Sequence, residues 1–253
     1  MRTLLNKIES ESIELHEIAI VKAGLKAYET GKGNPLQTDE MKKKRVYHSK
    51  QKLDQRYRVY LNGKDVRRYL STWSGEYLKY GHNLAAPRDP ILFEGERILV
   101  RQIPSRPPHA IDAIIVSSEE LNDINSMIVK ANDRYSLRYI LGILNSRLLT
   151  FWFDYKFDKF QRAIFPQFKV NELSRFPIRT IDFTNPAEKS QHDKLVSLVE
   201  NMLELQKKYH DARMERDKEL YERQIKIVDA QIDGLVYDLY GLSGEEIRIV
   251  EEE

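Results

Sequence analysis

The hydrophobic pattern changes period at Asn132-Asp133, and that change constrains the fold more than any other feature of the 253 residues. Upstream, apolar residues fall in short β-branched and aromatic runs bounded by Gly, Pro and Asn, the signature of strands. Downstream they recur at helical spacing. Strands gathered ahead of helices, rather than alternating with them, predict an α+β chain. The expected form is a mixed, largely antiparallel β portion with a core helix, followed by a C-terminal antiparallel helical hairpin.

Within the first portion, Ile13, Leu15, Ile18, Ile20 and Val21 predict a short strand. The following stretch, Lys22 to Pro35, is kept a loop by Gly24, Gly31, Gly33 and Pro35. It carries Lys22, Lys26, Tyr28 and Lys32. Arg56 to Leu61 reads as a strand with interleaved cations, and Asn62-Gly63 as a primed hairpin turn that returns along Lys64 to Trp73. Arg97 to Ile103, Ala110 to Val116 and Ser126 to Lys130 predict further strands. Pro104-Ser-Arg-Pro-Pro-His109 must be a loop, because proline donates nothing to a ladder.

In the second portion Leu137, Ile140, Leu141, Leu144, Leu148, Phe151, Trp152 and Tyr155 mark one face of a helix of about twenty residues. The aromatic cluster Phe151, Trp152, Phe153, Tyr155, Phe157 and Phe160 reads as core, with a base-stacking platform as the alternative. Phe165-Pro166 and Phe176-Pro177 punctuate an extended stretch. Beyond Asn185-Pro186, one apolar stripe (Leu195, Leu198, Val199, Met202, Leu205) and a second (Leu220, Ile227, Ile232, Leu235, Val236, Leu239) predict two long antiparallel helices. A short capping helix should follow Ser243. The exposed faces of the hairpin are acidic, which suits a spacer, packing or dimerisation element better than a nucleic-acid contact.

The formal charge of +2 hides an asymmetry. Up to Thr180 there are 31 Lys and Arg against 21 Asp and Glu, and after it 10 against 18. Lys42 to Arg68 holds eleven basic residues against Asp54 and Asp65 alone. A basic block beside an acidic tail points to a polyanionic partner for one half of the chain. The absence of cysteine excludes disulfides, thiolate metal sites and cysteine nucleophiles. There is no apolar run of about 18 residues, and Arg2, Lys7, Glu9 and Glu11 interrupt any leader-like start. A soluble, cytoplasmic protein with no membrane partner is expected.

Catalytic chemistry is missing from the pattern. The six histidines (16, 48, 82, 109, 192 and 210) form no zinc-like pair, so no metal site is expected. There is no G-x-S-x-G elbow and no phosphate-binding glycine loop. The carboxylate pairs Glu94 with Glu96 and Asp154 with Asp158 sit beside Arg97, Lys156 and Lys159, and read as ion pairs. What the chain does supply is cations, aromatics and amides arriving together: Lys26 with Tyr28, the run Lys42, Lys43, Lys44 and Arg45, Arg67 and Arg68 with Tyr69, Lys79 with Tyr80, Arg101 with Gln102, and Arg106. Phosphates need long cations, and base edges need forked donors.

Several of these segments resemble a known family. Ile20-Val-Lys-Ala-Gly-Leu-Lys-Ala-Tyr-Glu-Thr-Gly-Lys-Gly33, Gly63-Lys-Asp-Val-Arg-Arg-Tyr69, Ile98-Leu-Val-Arg-Gln-Ile103 and Tyr139-Ile-Leu-Gly-Ile-Leu-Asn-Ser146 occur in the order seen in the TaqI-like C-terminal specificity domain. That module is the target recognition domain of N6-adenine DNA methyltransferases in type II, notably type IIG, restriction-modification enzymes. The ending Ile232-Asp-Gly-Leu-Val-Tyr-Asp-Leu-Tyr-Gly241 resembles their helical tail. The resemblance implies a DNA target recognition domain over residues 1–180 and a helical spacer over 181–253. Double-stranded DNA would be read mainly in the major groove, opposite a methyltransferase domain in cis or trans that flips an adenine.

The adenine-methylation motif of the Asn-Pro-Pro-Tyr type, the S-adenosylmethionine loop and a nuclease carboxylate-lysine cluster are all lacking. The chain alone should therefore be inactive and hold no cofactor, while its parent enzyme would use S-adenosylmethionine, and Mg2+ if it cleaves. By matched position the implied DNA contacts are the Lys22 to Lys32 loop, Arg67, Arg68, Tyr69, Arg101 and Gln102. Two alternatives stand beside this reading. One is an oligomerisation module working through self-association of the hairpin; the other is an RNA-binding domain that stacks bases on Tyr28, Tyr57 or Trp73.

Overall fold

The computed structural model describes residues 2–117, 120–132, 134–157 and 167–252. Asp133, Asp158, Lys159, Phe160, Phe165 and Pro166, named above, lie outside the described residues. The chain begins with helix α1 (Arg2–Ser10), strand β1 (Ser12–Glu14), a helical turn α2 (Leu15–Ile18) and strand β2 (Ala19–Ala23). Next come α3 (Asp39–Lys44), β3 (His48–Ser49), β4 (Tyr57–Leu61), β5 (Val66–Arg67), β6 (Leu70–Ser71) and β7 (Tyr77–Lys79). The strands β8 (Arg97–Arg101), β9 (Ala113–Val116), β10 (Glu120–Asn122) and β11 (Ser126–Ala131) follow. The remainder is α4 (Leu137–Leu144), α5 (Arg147–Phe157), α6 (Val170–Leu173), β12 (Pro177–Arg179), α7 (Pro186–Asp211), α8 (Glu215–Leu239) and α9 (Gly244–Glu252). The fold is α+β, with mixed, mostly antiparallel sheets and a C-terminal helical pair.

The central sheet runs β2-β11-β8-β9, antiparallel throughout. Alternate residues of a strand face opposite sides of a sheet, and here both sides are covered. Val21, Ile98, Val100, Met127 and Val129 face a large core built with α4, α5, α7 and α8. Leu99, Ile114, Val116 and Ile128 face a second core under the four-stranded sheet β10-β4-β7-β3. This is why β8 reads Ile-Leu-Val without polar alternation. Each of those fully buried side chains contributes about 2 kcal/mol of apolar transfer.

Three predicted elements take a different form. The strand expected over Ile13 to Val21 is broken by α2, whose Glu17 carboxylate accepts from the Glu14 amide at 2.9 Å. The turn carries the chain from the β1–β12 ribbon to the edge of the central sheet. At Asn62-Gly63 no primed hairpin forms, because Gly63 does not adopt the positive φ such a turn requires. Buried Asp65 captures the Asn62 amide (2.9 Å) and closes a 3₁₀ turn, so β4 pairs with β7 instead of with Lys64 to Trp73. The single helix expected from Leu137 to Tyr155 is two. Asn145 leaves the helix and bonds to Ala113 through both ends of its amide (3.1 and 3.0 Å), and Ser146 starts α5.

The described members of the aromatic cluster belong to the core: Trp152 and Phe153 pack on Phe176, and Phe153 on Phe168 with ring centroids 4.4 Å apart. Arg97 is no surface partner of Glu94 or Glu96. It is fully buried, donates to the carbonyls of Ser117 and Glu120, and burial lowers its pKa to about 10. Glu96 pairs with Arg138.

The hairpin α7–α8 forms as its stripes require, with Asn185 capping and Pro186 at the first turn. The small helix after Ser243 forms as well, closed by a reciprocal pairing of Ser243 and Glu246. Leu220 and Ile227, expected in the second stripe, are instead 51% and 59% exposed, because α8 turns Tyr221, Ile225 and Val228 to the core and leaves these two on its outer face. Among the described residues no helix is long and apolar enough to cross a membrane.

Candidate nucleic-acid interface

Three segments meet at the turn Asp123-Ile124-Asn125, which links β10 of one sheet to β11 of the other. Leu25 donates its amide to Asn122 (3.0 Å) and Gly24 to Ser126 (3.0 Å), which brings the start of the Lys22 to Pro35 loop there. Asp123 donates to Leu61 (3.0 Å) and Gln102 to Asn125 (2.8 Å). Gly63 packs so closely that a Cβ would lie 2.7 Å from the Asn125 side chain. Arg101 and Gly24 both lie against Ser126, so the ends of β2 and β8 and the residues after β4 emerge at one end of the central sheet. The turn itself is stiff. Asp123 takes the Asn125 amide (3.0 Å) and side chain (2.6 Å), and its carboxyl is raised by burial.

Lys22, Arg101 and Gln102 lie beside this hub, and Arg67, Arg68, Tyr69 and Arg106 lie further along the segments that lead from it. Lys22, Arg67 and Arg106 are exposed and make no ion pair among the described residues. Lys64, beside Gly63, is exposed in the same way, although the sequence reading gave it no role. Arg101 and Gln102 are half-buried, with Arg101 reaching Asp112 at 3.3 Å.

Arg68 and Tyr69, implied by the resemblance as DNA contacts, are withdrawn from the surface. Tyr69 is 1% exposed in the large core, held at φ 61 with its amide on Ala113. A left-handed tyrosine costs about 1 kcal/mol or more, a strain its burial offsets. Arg68 lies over the Tyr69 ring (4.9 Å), forks onto Asp229 of α8 (2.9 and 2.5 Å) and donates Nε to the Asn145 carbonyl (2.9 Å). His109 reaches Asp233 (2.8 Å) one helical turn further on. Ligand-type atoms of His109, Asp229 and Asp233 lie within 4.8 Å of one another, a grouping that sequence spacing could not reveal. The Arg68 guanidinium already supplies positive charge to both Asp229 oxygens.

Lys79 lies on the second sheet, and Lys26, Tyr28, Lys32, Lys42, Lys43, Lys44 and Arg45 lie in the loop and on helix α3 that lead into it. Buried Gln37 braces the loop, donating to the carbonyls of Ala27 (2.9 Å) and Asn83 (2.7 Å) and accepting from the Glu29 amide (2.8 Å). The result is a firm platform with Lys32 exposed on it. Thr38 caps α3 (3.2 Å), whose last turn presents Lys42 and Lys43 to solvent. Other cations there are committed: Lys26 to Glu29 (2.7 Å), Lys44 to Glu40 (2.7 Å) and Arg45 to Glu76 (2.8 and 2.9 Å). Lys79 is half-buried on β7, opposite Tyr57.

Tyr28 is a strut rather than a free ring. It stacks on Tyr47 (5.7 Å), its hydroxyl accepts the Tyr47 amide (2.8 Å) and meets His48 Nδ1 (3.0 Å), and burial pushes its pKa up to about 12. Tyr57 is buried too, so of the three aromatics considered for base stacking only Trp73 is exposed, at 40%.

Residues 58–178, which include the hub, the β5–β6 turn and the 102–112 loop, match the model of the TaqI-like C-terminal specificity domain. By that match residues 58–178 resemble a TaqI-like C-terminal specificity domain. The chain is 29% identical over 224 residues to the type II restriction enzyme and methyltransferase RM.Eco57I of Escherichia coli, covering 86% of this chain and 22% of that relative. To the type II methyltransferase M.HincII of Haemophilus influenzae it is 31% identical over 81 residues, 32% of this chain and 16% of the relative. The chain thus spans 22% of the first of these relatives. The solved structure of the type IIL restriction-modification enzyme MmeI in complex with DNA shares the fold, with a TM-score of 0.52 at 14% identity over 95% of this chain and 36% of that one.

Proposed function

We propose that this specificity domain reads a particular duplex DNA sequence for a restriction-modification adenine methyltransferase. The observation that carries the proposal is the convergence at the Asp123-Ile124-Asn125 turn of segments bearing exposed Lys22, Lys64, Arg67 and Arg106, which make no ion pair among the described residues, beside the forked donors Arg101 and Gln102. Cations of this kind position a protein on phosphates, and Arg and Gln suit guanine and adenine edges. Lys32, Lys42 and Lys43 add a second cationic platform on the neighbouring sheet. The relatives named for restriction and methylation, and the MmeI neighbour solved with DNA, support the same reading.

In this scheme the methyl transfer, with its S-adenosylmethionine, belongs to a methyltransferase portion in cis or in trans, and any cleavage to an Mg2+-dependent nuclease portion. The specificity domain orients the duplex so that the target adenine faces that portion.

The test is selection from a random duplex library, followed by titration of the selected duplex at several salt concentrations. A preferred sequence should emerge, with affinity falling by a log-log slope of about −0.9 for each phosphate contacted. Arg67→Ala should flatten that slope by about 0.9 with an unchanged melting temperature. A library that returns no preferred sequence, or equal binding of single strands, would defeat the proposal.

A further inference from the structure

The β5–β6 hairpin and the 102–112 loop bear three of the proposed DNA contacts, Arg67, Gln102 and Arg106, and both are fastened to the C-terminal hairpin. Asp112, 5% exposed, joins them first: it accepts the Arg68 amide (3.2 Å), the Ser105 hydroxyl (2.6 Å) and Arg101 (3.3 Å). From this knot two links run to α8. Arg68 forks onto Asp229, and His109 meets Asp233, whose other oxygen accepts the Arg147 amide at the start of α5 (2.9 Å). Asp229 and Asp233 lie four residues apart, on one face of the helix.

The energetics of such a junction decide its purpose. An ion pair with side chains only 15% and 18% exposed recovers little beyond its desolvation cost, and apolar packing would hold α8 as well. A bidentate fork adds direction instead, since its two parallel bonds fix the orientation of both partners. Arg68 and His109 belong to the segments that carry Arg67, Gln102 and Arg106. The acidic halves belong to a helix that bears none of the proposed contacts.

We infer that Asp229 and Asp233 are positioning residues for DNA reading, setting the β5–β6 turn and the 102–112 loop against α8 without touching DNA. This rests on the DNA-reading function proposed above. Losing either link lets the two segments shift relative to the hub. Base-edge contacts, which tolerate little displacement, weaken, while phosphate contacts made by long flexible lysines persist.

The experiment uses the full chain, the duplex selected by the wild-type protein and a scrambled duplex of equal composition. Asp229→Asn and Asp233→Asn should each lower the preference for the selected over the scrambled duplex by roughly tenfold, with affinity and salt slope on the scrambled duplex unchanged. Asp229→Glu should restore most of the preference. Arg68→Lys, which keeps the charge but loses the fork, should reproduce the loss and is the variant to read if an aspartate variant fails to fold. An unchanged preference in these variants, or an equal drop on both duplexes, overturns the inference. Failure of the wild-type protein to select any duplex refutes the DNA-reading function itself.

Discussion

At His48 burial and charge act in the same direction. Burial first, and then the Arg45 guanidinium, lower the imidazole pKa from 6.5 to about 4. The Tyr28 hydroxyl accepts the Tyr47 amide, so its own proton points at His48 Nδ1 and the neutral ring is the one that fits. The unfolded chain takes up a proton at this histidine near pH 6.5 and the folded chain only near 4. Stability from the neutral ring is therefore complete above about 6.5 and is lost as pH falls toward 4. Glu76 acts with the same sign at lower pH. Burial raises its carboxyl, but hydrogen bonds from Arg45 and Asn62 outweigh that and bring it down to about 2. Its contribution is present above the ordinary carboxylate range and fades through that range toward 2. Thermal melts should show a midpoint that drops between about pH 6.5 and 5, and His48→Phe should flatten this limb. Equal slopes in both proteins would contradict it. The sequence offered six histidines with no signal to separate this one, because its partner lies twenty residues away in a loop.

Among the elements, the crossing of β2 and the Asp123-Ile124-Asn125 turn leaves no room for a side chain. A Cβ on Gly24 would meet the Asp123 carbonyl at 2.0 Å and the Asn122 carbonyl at 2.6 Å, and backbone does not swing aside as a side chain does. Gly24→Ala should cost about 3 kcal/mol or more in urea unfolding, the upper end for overpacking. A loss under about 1 kcal/mol would mean that the crossing is more yielding than it looks. In the sequence this glycine is only a loop-former, since its tight neighbour lies a hundred residues further on.

The same distinction separates what was legible from what was not. The helical hairpin, the Ser243 helix and β8 as a strand were readable because each announces itself through local residue pattern or capping. The β4 pairing was not, because Asp65, two residues past Asn62-Gly63, diverts the turn. Nor was the α4–α5 break, which depends on Asn145 finding Ala113 on a distant strand. For the interface, the cationic positions could be found but not their commitments: Arg67 and Arg68 are neighbours of one type, and only the fold turns one outward and the other onto Asp229.

For the molecule as a whole, the acidic tail and the basic portion share one core, which bears on any attempt to separate them. Leu195, Val199 and Met202 of α7, with Ile232 and Val236 of α8, are fully buried against Tyr139, Ile140, Leu144 and the central sheet. At about 2 kcal/mol for each buried side chain, those five contribute as much as a typical domain's whole net stability of about 5–15 kcal/mol. Deleting Asn185 to Glu253 should therefore abolish the cooperative melting transition, taking DNA binding with it. The hairpin tip is different. From Gln206 to Ile227 the side chains are mostly exposed, with only Tyr221 and Ile225 partly packed against the core. Replacing Lys207 to Gln224 by a short glycine-serine link should leave the melting temperature within a few degrees of the full chain, a shift of about 1 kcal/mol or less, and the duplex preference intact. Calorimetry and duplex titration on the two shortened chains give the comparison. If the tip-shortened chain failed to melt cooperatively, or the chain lacking 185–253 still did, the shared core would not be what holds the basic portion together.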